Sequence, residues 1–241
     1  MPRPPRTALT TGWFMPSELL TERRGSTLLL TISDSSSHHL LSEQVFAAGV
    51  EALNVAESDA SVRCIVLQGD AANFCAGGES GPPRADRFVP AEQQAQTLQR
   101  LQEFADALRV FPKPVIAAVE GTAAAAGFSL ALACDLIVAA EDASFTLSSA
   151  HSGLGFLSAT SRQSMHRLPR NLALQMCWLN EPTSARQLLA WGLVNWVAAP
   201  GQALLRALEV ADALARVPPD SVAGVKEWVN QWPQPGEPGA P

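Results

Sequence analysis

Residues 111–145 read FPKPVIAAVEGTAAAAGFSLALACDLIVAAEDASF, and the order of apolar, small and turn-forming residues in this stretch decides the fold. Pro112-Lys113-Pro114 is a turn that no helix can cross. Behind it, VIAAV over 115–119 is an uncharged run rich in β-branched residues and predicts a buried strand. Glu120-Gly121 ends that strand. Thr122-Ala123-Ala124-Ala125-Ala126 then leads, through side chains no larger than threonine, into a helical pattern over 127–134. Cys134-Asp135 closes the helix, and LIVAA over 136–140 predicts a second buried strand.

The same alternation extends in both directions. TLLLTIS over 27–33 and VRCIVLQ over 62–68 are further short apolar runs, and helical periodicity marks 42–57, 91–110 and 202–215. Ser42 and Pro90-Ala91 are helix starts of the expected chemistry. No fixed-period repeat is visible, although a strand-then-helix unit recurs through the first two thirds of the chain. From Leu168 onward helix signals dominate, and Trp191-Gly192-Leu193-Val194-Asn195 marks the last helix-to-strand turn. These signals predict an α/β core over 17–200 with a C-terminal helical segment over 201–231. The four prolines of 1–16 and the sequence WPQPGEPGAP over 232–241 read as flexible ends.

Composition narrows the function. The 241-residue chain is 47% hydrophobic and carries a formal charge of −6, with Lys113 and Lys226 its only lysines. A nucleic acid or an anionic membrane needs clustered basic residues, so neither is an expected partner. No apolar stretch approaches the roughly 18 to 20 residues that span a bilayer, and 1–20 lack a signal-peptide core. Cys64, Cys75, Cys134 and Cys177 form no CxxC pair and have no histidine at zinc spacing. We therefore expect a cytoplasmic protein with no metal.

Two loops carry the chemistry. Asn73-Phe74-Cys75-Ala76-Gly77-Gly78-Glu79 follows the strand at 62–68, and adjacent glycines at a strand exit let backbone approach a ligand. The small residues of 122–127 open a helix whose first N–H groups and positive dipole end suit an anion.

Taken together, FCAGG, PKPVIAAVEG, the small-residue loop, CDLIVA and ASF resemble the crotonase superfamily, the enoyl-CoA hydratase/isomerase family. The resemblance runs over about 27–226. Pro182-Thr183-Ser184-Ala185 and Ala190-Trp191-Gly192-Leu193-Val194 extend it. It implies a crotonase fold, a spiral of ββα turns, and an oxyanion hole for an acyl thioester formed by the N–H groups of Gly78 and Ala126. Ala76, Gly77, Phe128, Ser129 and Ser149 would line the acyl site. No cofactor is implied beyond the CoA or phosphopantetheine that forms part of the substrate. The partners implied are an acyl-CoA or an acyl carrier protein thioester and further copies of the chain, as a homotrimer or hexamer. Ala126 stands where the family has glycine, so its N–H donates only if its φ and ψ suit a residue with a Cβ.

Hydratases of the family use two glutamates, and the aligned places hold Ser129 and Ser149. Neither is a carboxylate base. Dehalogenase relatives have an aspartate where this chain has Leu157. Decarboxylating crotonases of polyketide β-branching resemble it more, since they lack both acids, pair glycines as Gly77-Gly78 do, and carry a Phe like Phe128. Loss of CO₂ generates the enolate without a base, and His151 or Glu79 would return the proton. The lysine such decarboxylases carry after the first loop has no counterpart, because Lys113 lies in the PKP turn. The reading is an enolate-stabilising lyase or isomerase. A hydratase or dehydratase with noncanonical residues, and a thioester-binding subunit without activity, are the alternatives.

Overall fold

A computed structural model describes residues 17–33, 40–70, 73–75, 77–78, 91–147, 165 and 168–232. Four successive segments begin with a strand of one large sheet and continue into a short strand of a second layer. They are β2 (Thr27–Ser33) with β3 (Leu40–Leu41), β4 (Cys64–Gly69) with β5 (Gly77–Gly78), β6 (Val115–Val119) with β7 (Thr122–Ala124), and β8 (Leu136–Ala140) with β9 (Ser144–Thr146). The first three continue into α1 (Glu43–Ser58), α2 (Ala91–Val110) and α3 (Ala126–Ala133). The expected strand-helix unit is thus a ββα unit.

The large sheet has the order β1-β2-β4-β6-β8-β11, where β1 is Glu18–Arg24 and β11 is Trp196–Ala198. All its neighbours are parallel except β1, which pairs antiparallel with β2 and forms an edge. The short strands pair as β3 with β5 and as β7 with β9, and β10 (Thr183–Ser184) adds to β9. A parallel bridge between Cys75 and Ala123 joins these two groups.

Because the central parallel strands are covered on both faces, they are largely apolar. Leu30, Ile65, Leu67, Val115, Ala117, Ile137 and Ala139 face a core shared with Phe46, Leu53, Phe104 and Leu108 of α1 and α2. Their alternates Leu29, Cys64, Val66, Ile116, Ala118 and Val138 pack on Ala203, Ala207, Val210 and Ala211 of α6 (Ala203–Ala215). α1 and α2 cross closely: a Cβ at Gly49 would lie 2.4 Å from the Phe104 ring.

The runs 27–33, 115–119, 136–140 and 91–110 have the bounds their sequence predicts. The strand expected over 62–68 starts at Cys64, since Val62 N bonds Asp59 O and Arg63 N bonds Ser26 O. Ser42 does precede α1, but its hydroxyl does not cap the helix. It meets Ser17, with Ser17 Oγ to Ser42 Oγ at 3.0 Å and Ser42 N to Ser17 Oγ at 3.1 Å.

The C-terminal half adds α4 (Arg170–Leu179) and α5 (Ala185–Ala190), the latter opened by a capping box between Ser184 and Gln187. α7 (Pro219–Asn230) lies at the end of the sheet where β6 and β8 begin. Its Lys226 Nζ donates to Asp135 Oδ2 at 2.8 Å, and the same oxygen accepts from Val115 N at 2.8 Å. Lys113 Nζ donates to the carbonyls of Ala56 and Asp59 at the end of α1, at 2.6 and 2.8 Å. Of the flexible ends expected at 1–16 and 232–241, only Trp232 falls among the described residues. Among the described residues, no helix is long and apolar enough to cross a membrane and no group of His, Cys, Asp and Glu could hold a metal ion.

The start of α6 is held by Glu120, whose carboxylate accepts from Gly201 N at 2.9 Å and Ala203 N at 2.7 Å. A carboxylate on the free amides of a helix start acts as a remote N-cap and meets the positive dipole end. Glu120→Ala is expected to cost about 1 to 2 kcal/mol. Urea unfolding should show a lower midpoint with an unchanged slope.

Candidate active site

Both oxyanion-loop candidates leave C-terminal strand ends, the first from β4 and the second from β6. Gly69 ends β4 at a turn so tight that a Cβ there would lie 1.9 Å from Asn73 O. The first loop is then laced to the second by backbone. Cys75 N donates to Thr122 O at 2.9 Å, Ala124 N donates to Cys75 O at 2.8 Å, and Thr122 N donates to Asn73 Oδ1 at 3.2 Å.

Gly127 completes the junction. A Cβ on it would lie 2.4 Å from Cys75 O and 2.6 Å from Cys75 Cβ, so only glycine lets α3 start against the first loop. Gly78 pairs with Leu41 in the β3–β5 ladder, and β5 packs beside α3. The structure therefore brings Gly77, Gly78 and Ala126 into one neighbourhood.

Ala126 is the first residue of α3, partly exposed, and no acceptor among the described residues meets its N–H. The conformational question raised for Ala126 falls instead on its neighbour. Ala126 has helical backbone, whereas Ala125 has φ 48° and ψ −112°, a combination that favours glycine. Ala125 N donates to Thr146 O at 2.9 Å, which ties this residue to β9.

Ser129 is buried within α3, and its hydroxyl donates to Ala125 O at 3.1 Å. Phe128 is fully buried with its ring 5.2 Å from that of Phe145. Phe128 is thereby part of the core on which the start of α3 rests. Ala76, Glu79, Ser149 and His151 lie outside the described residues.

No described cysteine has nucleophile character. Cys75 is fully buried, burial pushes the Cys64 thiol up to about 12, and burial raises Cys134 and Cys177 as well. Sequence reasoning missed two structural contributors, Asn73 and Gly127. An Asn before a Gly-rich loop is a signal for side-chain to backbone bonding, but nothing in the sequence reveals that Gly127 meets Cys75.

A family model for enoyl-CoA hydratase/isomerase matches residues 22–236. The 2,3-dehydroadipyl-CoA hydratase of Escherichia coli K12 is 34% identical over 218 residues, covering 89% of this chain and 82% of its own length. The 1,2-epoxyphenylacetyl-CoA isomerase of the same organism is 30% identical over 209 residues, covering 84% of this chain and 78% of its own. The crystal structure of an enoyl-CoA hydratase from Polaromonas sp. JS666 superposes with a TM-score of 0.81 at 42% identity, covering 89% of this chain and 83% of that one. With its paired strand layers, loop junction and helical C-terminal segment, this chain has the crotonase fold and belongs to the enoyl-CoA hydratase/isomerase family.

Proposed function

We propose that this protein acts on an acyl thioester through an enolate whose oxygen is held by the N–H groups of Gly78 and Ala126, and that its reaction is an isomerisation or decarboxylation rather than a hydration. One observation carries the choice of reaction. The side chain one turn into α3 is a buried serine bonded to its own helix, so no carboxylate stands there to activate water. Two fixed amide dipoles in a water-poor site stabilise an enolate without any side-chain base, and removing one such donor typically costs about 3 to 4 kcal/mol. His151 or Glu79 then supplies the proton to the enolate carbon. A place among decarboxylating crotonases of polyketide β-branching, with an acyl carrier protein as carrier, rests on Gly77-Gly78 and on the two serines.

Hydration is the second reading, favoured by the hydratase names of several relatives. Assembly into trimers or pairs of trimers is supported by an apolar stripe on α7 and the residue just past its C-cap. Val225, Trp228, Val229 and Trp232 recur at helical spacing and are 60, 61, 43 and 51% exposed.

Three outcomes check this reading. Bound acetoacetyl-CoA, which loses its α proton to give a strongly absorbing enolate, is expected to ionise more readily than free ligand. Gly78→Pro removes one donor and should reduce that gain by on the order of 10²-fold or more. Full retention of the gain in a folded Gly78→Pro protein would refute the assignment. Crotonyl-CoA should be hydrated some 10⁴-fold or more below a two-glutamate enzyme, followed by loss of the enoyl absorbance. Hydration at roughly 10 s⁻¹ or faster would instead establish the second reading. Light scattering is expected to give the mass of a trimer or hexamer, and a monomer at micromolar concentration would remove the assembly from the proposal.

A further inference from the structure

The peptide joining Ala125 to Ala126 carries the carbonyl of one residue and the N–H of the next, and in a planar trans peptide these point in opposite directions. Whatever orients the Ala125 carbonyl therefore aims the Ala126 N–H. That carbonyl accepts two hydrogen bonds from a single residue, Ser129 N at 3.0 Å and Ser129 Oγ at 3.1 Å. The amide bond is the ordinary i to i−4 bond of any helix. The hydroxyl bond exists only because position 129 is a serine.

The carbonyl needs holding. Ala125 stands at φ 48° and ψ −112°, well away from the left-handed well that a residue with a Cβ tolerates, near ψ of roughly +47°. Such backbone persists only where the surroundings over-determine it. Any rotation of the peptide plane that eases Ala125 toward that well swings the Ala126 N–H off its line. On one side Ala125 N is fixed by Thr146 O at 2.9 Å. On the other side the restraint is Ser129. The residue is 5% exposed, and the shared acceptor leaves the hydroxyl turned along the helix backbone.

We propose that Ser129 is a positioning residue, whose hydroxyl fixes the strained Ala125 carbonyl so that the Ala126 N–H stays directed out of α3 at the oxygen of the bound thioester. The serine that replaces a family glutamate is thereby part of the oxyanion device, acting through the backbone and not as a base. This inference rests on the enolate reading above, and the experiment separates the two.

Enolate formation by bound acetoacetyl-CoA is measured by absorbance as a function of pH, and affinity for butyryl-CoA, which does not ionise in this range, is measured in parallel. Ser129→Ala keeps the amide bond and removes only the hydroxyl, so it should fold. It is expected to lower the enolate equilibrium constant about fivefold, the worth of one ordinary hydrogen bond, with a smaller loss of butyryl-CoA affinity, because an uncharged carbonyl gains less from the same donor than an enolate oxygen does. Ser129→Thr retains a hydroxyl that can reach the i−4 carbonyl and should restore the parent value. Equal enolate formation in the parent and Ser129→Ala proteins would overturn the positioning role, as would a loss that Ser129→Thr fails to restore. Absence of enolate in the parent protein would instead overturn the enolate reading, and this role with it.

Discussion

The contact of Gly127 with Cys75 is the constraint on which the rest of the site depends. A backbone carbonyl of one loop occupies the space where any other residue would place its Cβ. That approach lets the Cys75 backbone complete a ladder with Thr122 and Ala124, so two loops far apart in sequence share one rigid seam. Interiors packed this closely move as units rather than bending gradually. Two amide donors can hold a fixed spacing only if the elements bearing them are joined in some such way, because each lies on its own loop.

The seam also explains why α3 is built as it is. Every residue from Gly127 to Ala133 is buried, and the helix has no polar face for water. An eight-residue helix is marginal in isolation, so α3 is held by what surrounds it: β7, α2, the first loop and Phe145. A helix so enclosed has its dipole and its first amides already in place. Stabilisation of a developing oxyanion by such preorganised dipoles requires no rearrangement at the moment of reaction.

Most of the large sheet was legible in the sequence, and the reasons are physical. β6 and β8 are covered on both faces and apolar without interruption, and β2 is largely so, each bounded by turns. β1 escaped because ELLTERR lies at an edge and is largely solvent-facing, which leaves it without an apolar signature. The short strands β3, β5 and β10, two residues each, are too short for any periodicity. α7 offers no buried residue, so its pattern does not show which way it faces. At the site, local sequence identified the loops but not the contact between them, since Gly127 and Cys75 are separated by β5, α2, β6 and β7. It located a conformational difficulty within one residue: the burden falls on Ala125, just outside the helix, where the chain must turn before helical dihedrals begin.

That displacement by one residue changes what the substitution of alanine for glycine means. Had the positive φ been at Ala126, the donor itself would carry the strain, and relaxation would remove it from the site. With the strain at Ala125, the donor has ordinary helical backbone and the cost is borne by the residue that connects it to β9 through Thr146 O. A strained alanine is worth of order 1 to 3 kcal/mol, which a few hydrogen bonds of about 1 kcal/mol each can offset. The bonds that offset it fix the two peptides on either side of Ala125: Ala125 N to Thr146 O holds the one before it, and Ser129 N and Oγ to Ala125 O hold the one after it. Strain and restraint therefore meet at the same residue, and the orientation of the Ala126 N–H follows from the balance between them.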